Sequence, residues 1–165
     1  ARAPELIIRE MEECYEQHGI HIFDIEDDHF TRDRERLKNF LSLVIERFHD
    51  TPVRLMGMNG FLLDNLDPET FILMKRAGFN DVNIAPVVLD NERTRALRRP
   101  YGYNRYKAII THARERGLSV TAYLILGLPG DTVEGMLEAV LTLAEEPVLL
   151  GPSIFYPTPR TLIYE

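Results

Sequence analysis

The stretch that most constrains the fold of this chain is residues 117–134, which read GLSVTAYLILGLPGDTVE. Val120–Leu126 is an almost continuous apolar and β-branched run, which is typical of a parallel strand buried on both faces. A turn rich in glycine and proline follows. Asp131, with Glu134 three residues later, has the spacing of a capping box that begins a helix. The stretch therefore predicts a strand–turn–helix unit of an α/β protein, in which ligands bind at the carboxyl ends of the strands.

The glycines of this turn, Gly127 and Gly130, have two explanations. They can let the backbone approach a flat or phosphorylated ligand closely. They can equally serve the geometry of a tight turn that needs positive φ angles. The residues alone leave both explanations open.

Helical and strand patterns alternate along the whole chain. The predicted strands are Ile20–Ile25, Val53–Met58, Asp81–Val88, Val120–Leu126 and Val148–Phe155. The predicted helices are residues 4–18, one that Thr31 caps, one that begins at Asp67, Asp90–Arg98, Asn104–Arg116, and one from Asp131 to about Glu146. Because strands joined through helices pair in parallel, we expect five parallel strands in sequential order with helices on one face. Periodicity does not distinguish an open sheet from an arc of a barrel.

Composition narrows the classes of function. The 165 residues are 45% hydrophobic, which suits one domain spanning residues 1–165. A formal net charge of −7 argues against nucleic acid as the main partner. No apolar run approaches membrane-spanning length, so no membrane partner is expected. A single cysteine excludes an internal disulfide framework and is typical of a reducing, cytoplasmic compartment.

Polar residues and glycines follow the predicted strands. They are Glu26, Asp27 and Asp28 in the loop EDDHF, Asn59–Gly60, Ala85–Pro86 with Asp90, Gly127–Gly130, and Tyr156–Pro157–Thr158–Pro159. Since the carboxyl ends of parallel strands meet at one edge of a sheet, we expect these residues to converge. Asp27 and Asp28 can bind a divalent metal, hold an ammonium group or act as acid and base. A solvated acidic turn is the alternative.

The cysteine, the histidines and a group of arginines are weaker candidates for functional residues. Cys14 lies on the apolar side of a helix, so we expect a core residue rather than a nucleophile. No histidine pair has zinc spacing, and His29 within EDDHF is the histidine closest to the candidate site. The basic helix end contains Arg93, Arg95, Arg98 and Arg99. We expect it to be a solvated face, with anion binding as the alternative.

Several segments together resemble one known family. IHIFDIEDDHFT, LMGMNG, MKRAGFNDVNI, RALRRP, GLSVTAYLILGLPGDTVEGM and SIFYPTPRT occur in the order seen in the radical S-adenosylmethionine superfamily. The chain is most similar to members that carry a cobalamin-binding domain ahead of the radical core. The resemblance implies a partial parallel (β/α) barrel, TIM-barrel-like, of which this chain has five of six βα units. It also implies S-adenosylmethionine bound to a 4Fe–4S cluster, which cleaves it to a 5′-deoxyadenosyl radical.

The resemblance assigns roles to several strand-end residues. Asp27 and Asp28 match the place where the family holds the methionine amino group, and Asn59 ends the neighbouring strand. Ile125 and Gly127 match the motif whose backbone supports the adenine. The end of the last strand is matched by Tyr156, Pro157 and Thr158. The family's Glu–Ser pair near the ribose is replaced here by IAPVVLDNE, where we expect Asn83 and Asp90 to compensate.

The cysteine content departs from the family pattern. The family holds its cluster with three cysteines spaced CxxxCxxC after the first strand, and this chain has only Cys14. We therefore expect a fragment that lacks the first strand, the cluster loop and a cobalamin-binding domain. S-adenosylmethionine and the 4Fe–4S cluster are expected in the full-length parent, and no cofactor is expected in this fragment, which should be inactive. We also expect self-association through the exposed edge of Ile20–Ile25 or through the open face of the barrel.

Two other functions remain open from the residues. One is a divalent-metal-dependent hydrolase or aldolase on a partial barrel that uses Asp27, Asp28 and Asp90. The other is a non-catalytic binding module.

Overall fold

The computed structural model describes residues 2–27, 29–87, 89, 91–96, 101–157 and 159. The elements are α1 (Pro4–His18), β1 (Ile22–Asp24), α2 (Arg34–Arg47), β2 (Arg54–Met56), α3 (Pro68–Arg76), β3 (Asp81–Val87), α4 (Asn91–Ala96), α5 (Tyr103–Glu115), β4 (Ser119–Leu126), α6 (Val133–Ala144) and β5 (Leu149–Ile154). No helix in these ranges is both long and apolar enough to cross a bilayer.

All strand pairs are parallel, as predicted. β1 pairs with β2, and β3, β4 and β5 form a second sheet in that order. A single parallel bridge between Leu55 and Phe79 connects the two sheets. The predicted α/β fold with sequential parallel strands is therefore confirmed, and in the described residues it consists of a two-stranded and a three-stranded sheet.

The contact between β2 and the start of β3 is tight, and we call it the β2–β3 seam. The amide of Leu55 donates to the carbonyl of Gly78 at 3.1 Å. Gly78 has a φ of +102°, and a Cβ at this position would lie 2.3 Å from the carbonyl oxygen of Val53. Only glycine fits here without a shift of the backbone.

The β3–β5 sheet has one face covered by helices and one that is more open. Val120, Ala122 and Leu124 of β4 are almost fully buried in the same hydrophobic cluster as Ile109 and Ile110 of α5. Successive side chains of a strand point to opposite faces of the sheet. The opposite, open face of β4 and β5 therefore carries the half-exposed or exposed residues Thr121, Tyr123, Ile125, Leu149, Gly151 and Ser153.

Two predicted helix caps are wrong. Thr31 is fully buried, and its hydroxyl donates to the carbonyl of Leu62 at 2.7 Å. Asp33 caps α2 instead, because its side chain accepts from the amide of Arg36.

The cap of α6 also differs from the prediction and lies one residue later. Thr132 accepts from the amide of Gly135, so Asp131 and Glu134 do not form a capping box. The Asp131 carboxylate instead accepts from the amide of Leu128 at 2.7 Å and closes the preceding turn.

The strand at the β1 edge is shorter than predicted and partly apolar. It comprises three residues instead of six, and its Ile22 side chain is 50% exposed. Its only partner strand in the described part of the chain is β2. Self-association through this edge stays a prediction.

Candidate functional site at the carboxyl ends of the strands

The loops after β1 and β2 are joined by side-chain hydrogen bonds. Asp24 accepts from the amide of Met58 at 3.0 Å, and Glu26 accepts from the side-chain amide of Asn59 at 2.7 Å. The predicted site residue Asn59 is thus brought to the β1 end through Glu26, which the sequence placed among the strand-end residues without a role of its own. Its position directly before the aspartates of EDDHF was the available signal.

Asp27 lies in the same loop, and its carboxylate is already engaged. One oxygen accepts from the amide of His29 at 2.9 Å, and the other lies 3.3 Å from a guanidinium nitrogen of Arg36. Arg36 also contacts the carbonyl of Arg2. This pairing partly neutralises the acidic turn. Asp28 lies outside the described residues.

An apolar groove of about 470 Å³ lies beside the edge strand β1. Its floor and wall include Ile7, Met11 and Cys14 of α1 with Phe23 and Ile25. The carboxylate-bearing residues Glu10, Asp24, Glu26 and Asp27 also line it. The groove therefore combines an apolar interior with acidic side chains close to the β1 end.

Asn83 of β3 is 4% exposed and joins the two sheets above the seam. Its side-chain amide donates to the backbone carbonyl of Gly57 at 3.0 Å. Its backbone carbonyl accepts from the backbone amide of Phe61 at 2.8 Å. Asn83 therefore orders the loop that contains Asn59. Asp90, the other residue expected near a ribose, lies outside the described residues.

The glycine-rich turn after β4 leaves one glycine open and folds one leucine back. Gly127 has a φ of +83°, and a Cβ built there would have no atom within 4 Å. Leu128 is buried against Ala85, Ile125 and Phe155. A flat group can therefore approach the backbone at Gly127, while the neighbouring leucine fixes the turn.

The described candidate residues after β5 are exposed to solvent. Tyr156 is 87% exposed, and Pro157 is exposed as well. Thr158 lies outside the described residues. Arg95 of α4 is exposed, whereas Arg98, Arg99 and the side chain of Arg93 lie outside the described part.

A polar cluster away from these turns contains a tyrosine with a strongly raised pKa. Tyr103 donates to Glu146 at 2.8 Å, and Lys107 pairs with the same carboxylate at 2.8 Å. Burial and the hydrogen bond to Glu146 raise the pKa of Tyr103 to about 12. The hydrogen bond from Lys107 lowers the pKa of Glu146. These contacts connect α5 to the segment before β5 and have a structural role.

Metal ligands are not assembled in the described ranges. No group of three or more His, Cys, Asp or Glu side chains there could hold a metal ion. Cys14 is half-buried on α1, and one thiol cannot supply the three that a 4Fe–4S cluster needs. The described residues therefore do not fit such a cluster. Asp28 and Asp90, which the metal-dependent hydrolase alternative also uses, lie outside the described residues.

The sequence was also compared with known proteins. A family model described as the radical SAM superfamily matches residues 1–143. The chain belongs to the radical SAM superfamily. The family predicted from the sequence motifs is therefore confirmed.

Two proteins similar to this radical SAM chain are named as methyltransferases. Cytidylyl-2-hydroxyethylphosphonate methyltransferase of Streptomyces wedmorensis is 25% identical over 168 residues, which cover 96% of this chain and 30% of that protein. A similar solved structure is that of the radical S-adenosylmethionine methyltransferase TsrM from Kitasatospora setae, with cobalamin and a 4Fe–4S cluster bound. Its TM-score to this chain is 0.84 at 23% sequence identity. The match covers 99% of this chain and 33% of TsrM.

A second TsrM structure, with tryptophan substrate and the S-adenosylmethionine analog aza-SAM bound, has a TM-score of 0.79 and 24% identity. That match covers 92% of this chain and 30% of TsrM. The radical SAM chain thus spans about a third of the length of these relatives. The predicted likeness to cobalamin-associated members is confirmed, and the structural match extends along nearly all of the chain.

Proposed function

We propose that residues 1–165 are the S-adenosylmethionine-binding part of a radical SAM enzyme core. The observation that carries this proposal is the family match, together with the placement of polar loops and an open glycine at the carboxyl ends of neighbouring parallel strands. Ligands of parallel α/β folds bind at this edge.

The two halves of the site would hold different parts of the ligand. The open backbone at Gly127, next to Ile125, accepts the flat adenine. The acidic β1 end, with Asp27, Asp28 and Glu26, suits the methionine ammonium because charge-assisted hydrogen bonds to carboxylates are strong. Asn59 and Asn83 support this end through Glu26 and the carbonyl of Gly57. Tyr156 and Thr158 stay predicted contacts.

The 4Fe–4S cluster would be held by residues outside this chain. In the full-length parent it would supply the electron that cleaves S-adenosylmethionine to a 5′-deoxyadenosyl radical. By itself the chain should be inactive. Because three thiolates are the usual minimum for such a cluster, Cys14 cannot replace them.

The relatives point to methyl transfer with cobalamin. The names of two of them contain the word methyltransferase, and one was solved with cobalamin. We propose that the parent is a cobalamin-associated radical SAM methyltransferase whose cobalamin domain is separate from these residues. The relatives' names refer to a cytidylyl compound and to tryptophan, and both contain a flat heteroaromatic ring.

The test compares two lengths of the protein. One is the 165-residue chain, and the other is a longer polypeptide that carries a CxxxCxxC segment ahead of residue 1. Both are reconstituted anaerobically with iron and sulfide, reduced with dithionite and assayed for 5′-deoxyadenosine. We expect product from the longer polypeptide only. A longer polypeptide with its three motif cysteines replaced by alanine is the control, and it should form neither the brown chromophore nor product.

Two results would contradict the proposal. One is 5′-deoxyadenosine formed by the 165-residue chain. The other is a well-reconstituted longer polypeptide, with full iron and sulfide content, that leaves S-adenosylmethionine intact.

A further inference from the structure

Tyr123 occupies an unusual place on the open face of the β3–β5 sheet. It pairs in register with Gly151 of β5, and directly paired residues of parallel strands point to the same face. A Cβ at residue 151 would lie 2.5 Å from Cδ1 and 2.7 Å from Cε1 of the Tyr123 ring. The ring therefore fits only because residue 151 has no side chain.

The contact involves one edge of the ring. Cδ1 and Cε1 are adjacent ring atoms, and the next heavy atom near the same point is Cγ2 of Thr121 at 3.7 Å. Gly151 thus supports the ring at its edge and does not cover its faces. Tyr123 is half-buried, and its hydroxyl has no hydrogen-bond partner among the described residues.

The open-face positions of β4 and β5 carry no formal charge. They are Thr121, Tyr123, Ile125, Leu149, Gly151 and Ser153. Each pair across the two strands combines one hydroxyl-bearing residue with one that has no polar side-chain atom. The β1 end, by contrast, carries Asp24, Glu26 and Asp27. A ligand group that rests on β4 and β5 is therefore neutral, with an apolar surface and polar atoms for a few hydrogen bonds.

We infer that Tyr123 is a specificity-determining residue that packs against a flat, uncharged heteroaromatic ring of the substrate. This inference rests on the proposed function, which assigns the backbone at Ile125 and Gly127 to the adenine. Tyr123 lies two residues before Ile125 on the same face, so it faces the space next to the adenosyl group. Aromatic rings stack on one another in offset or edge-to-face arrangements. The hydroxyl can hydrogen-bond a polar edge of the same ring.

The experiment uses the longer, reconstituted polypeptide and measures equilibrium binding by calorimetry. The ring probes are L-tryptophan and cytidine 5′-monophosphate, L-leucine is the probe without a ring, and S-adenosylhomocysteine reports on the adenosyl half. The variants are Tyr123→Leu, Tyr123→Phe and Gly151→Ala. Tyr15→Leu, on the distant helix α1, is the matched control.

We expect at least one ring probe to bind the wild type, and L-leucine not to bind. Tyr123→Leu should weaken that ring probe about tenfold, and Tyr123→Phe about threefold, because the phenyl ring remains while the hydroxyl is lost. Gly151→Ala should weaken it as well, because the added methyl displaces the ring. S-adenosylhomocysteine should bind all variants within about twofold of the wild type, which also shows that they fold.

Three results would overturn the inference: no ring probe binds the wild type, Tyr123→Leu leaves ring affinity unchanged, or the variants weaken S-adenosylhomocysteine equally. The same samples are assayed for 5′-deoxyadenosine. If the wild type forms none while the ring affinities behave as expected, the proposed function fails and the ring site stands.

Discussion

The two sheets of this chain differ in length and in the chemistry at their carboxyl ends. β1 and β2 contain three residues each, whereas β3, β4 and β5 contain seven, eight and six. The short pair has acidic loops joined by side chains, and the long sheet has a glycine turn and a neutral open face. The comparison teaches that the loops after β1 and β2 are ordered by side chains that reach from one loop to the other, whereas the turn after β4 is closed within itself by Asp131 and Leu128.

The largest effect is expected at the β2–β3 seam. Gly78→Ala should lower the free energy of unfolding by about 3 kcal/mol, because alanine is strained at positive φ and its Cβ would meet a backbone oxygen. Gly117→Ala is the control: its φ is +72°, but the nearest atom to an added Cβ is 3.9 Å away. It should cost about 1 kcal/mol. Urea denaturation of both variants measures the difference, and equal losses would mean that the seam is not tightly packed.

The second largest loss of stability is expected at Asn83, which orders the loop next to the acidic β1 end. Asn83→Ala removes a buried hydrogen bond and leaves the carbonyl of Gly57 without this donor, so stability should fall by about 2 kcal/mol. Asn39→Ala removes a comparable bond of 2.9 Å to Glu5 at an exposed site and should cost less than about 0.5 kcal/mol. Hydrogen exchange should also speed up in residues 57–61 of the Asn83 variant. Unchanged protection there would contradict the assigned role of Asn83.

The third prediction compares the two glycines of the turn after β4. Gly127 and Gly130 have φ angles of +83° and +82°, and both would have open space around an added Cβ. The two alanine variants should therefore pay the same backbone cost, about 1 kcal/mol. Only Gly127→Ala should weaken S-adenosylhomocysteine binding to the longer polypeptide, by about tenfold, which corresponds to about 1.4 kcal/mol. Equal affinities in a calorimetric titration would remove Gly127 from the adenine surface.

The smallest effect concerns pH and the long sheet. The pKa of Tyr103 is raised to about 12, so its contribution to stability is complete below its unfolded pKa, near 10, and is lost as the pH rises through 12. Tyr103→Phe should lower stability by about 1 kcal/mol at neutral pH. The variant should also lose stability less steeply than the wild type between pH 10 and 12. Denaturation curves at pH 7, 10 and 11 check this, and parallel slopes would contradict it.

Much of the fold could be predicted from the sequence because strand and helix patterns are local. The run Val120–Leu126 and its glycine turn identified a βα unit, and the order of such units fixed parallel pairing. The caps could not be fixed in the same way. Thr31 and Asp33, like Asp131 and Thr132, are neighbouring residues that can all cap a helix, and distant contacts such as the Leu62 carbonyl decide between them.

The edge that carries the candidate site was predictable, whereas its contacts were not. Strand-end residues were expected to share one edge of a sheet because parallel strands end there, and the parallel pairing agrees with this; that the edge binds a ligand stays a prediction. The hydrogen bond from the Asn83 side chain to Gly57 depends on how the two separate sheets meet. No local sequence pattern predicts that meeting. The same holds for Tyr123. The alternation of side chains along β4 predicts which face of the sheet Tyr123 lies on. The fit of its ring against Gly151, however, depends on the register between β4 and β5.

The β2–β3 seam has a consequence for synthesis on the ribosome. β1 and β2 leave the exit tunnel before β3, yet Leu55 contacts Gly78 and Phe79, and the carbonyl of Gly57 accepts from the side-chain amide of Asn83. The short β1–β2 pair therefore emerges before the residues that secure it have been made. Isolated two-stranded sheets are marginally stable in water. During elongation the apolar residues of α1, α2 and β1 thus stay accessible to chaperones until β3 emerges, and pausing of translation within residues 60–80 would prolong that exposure.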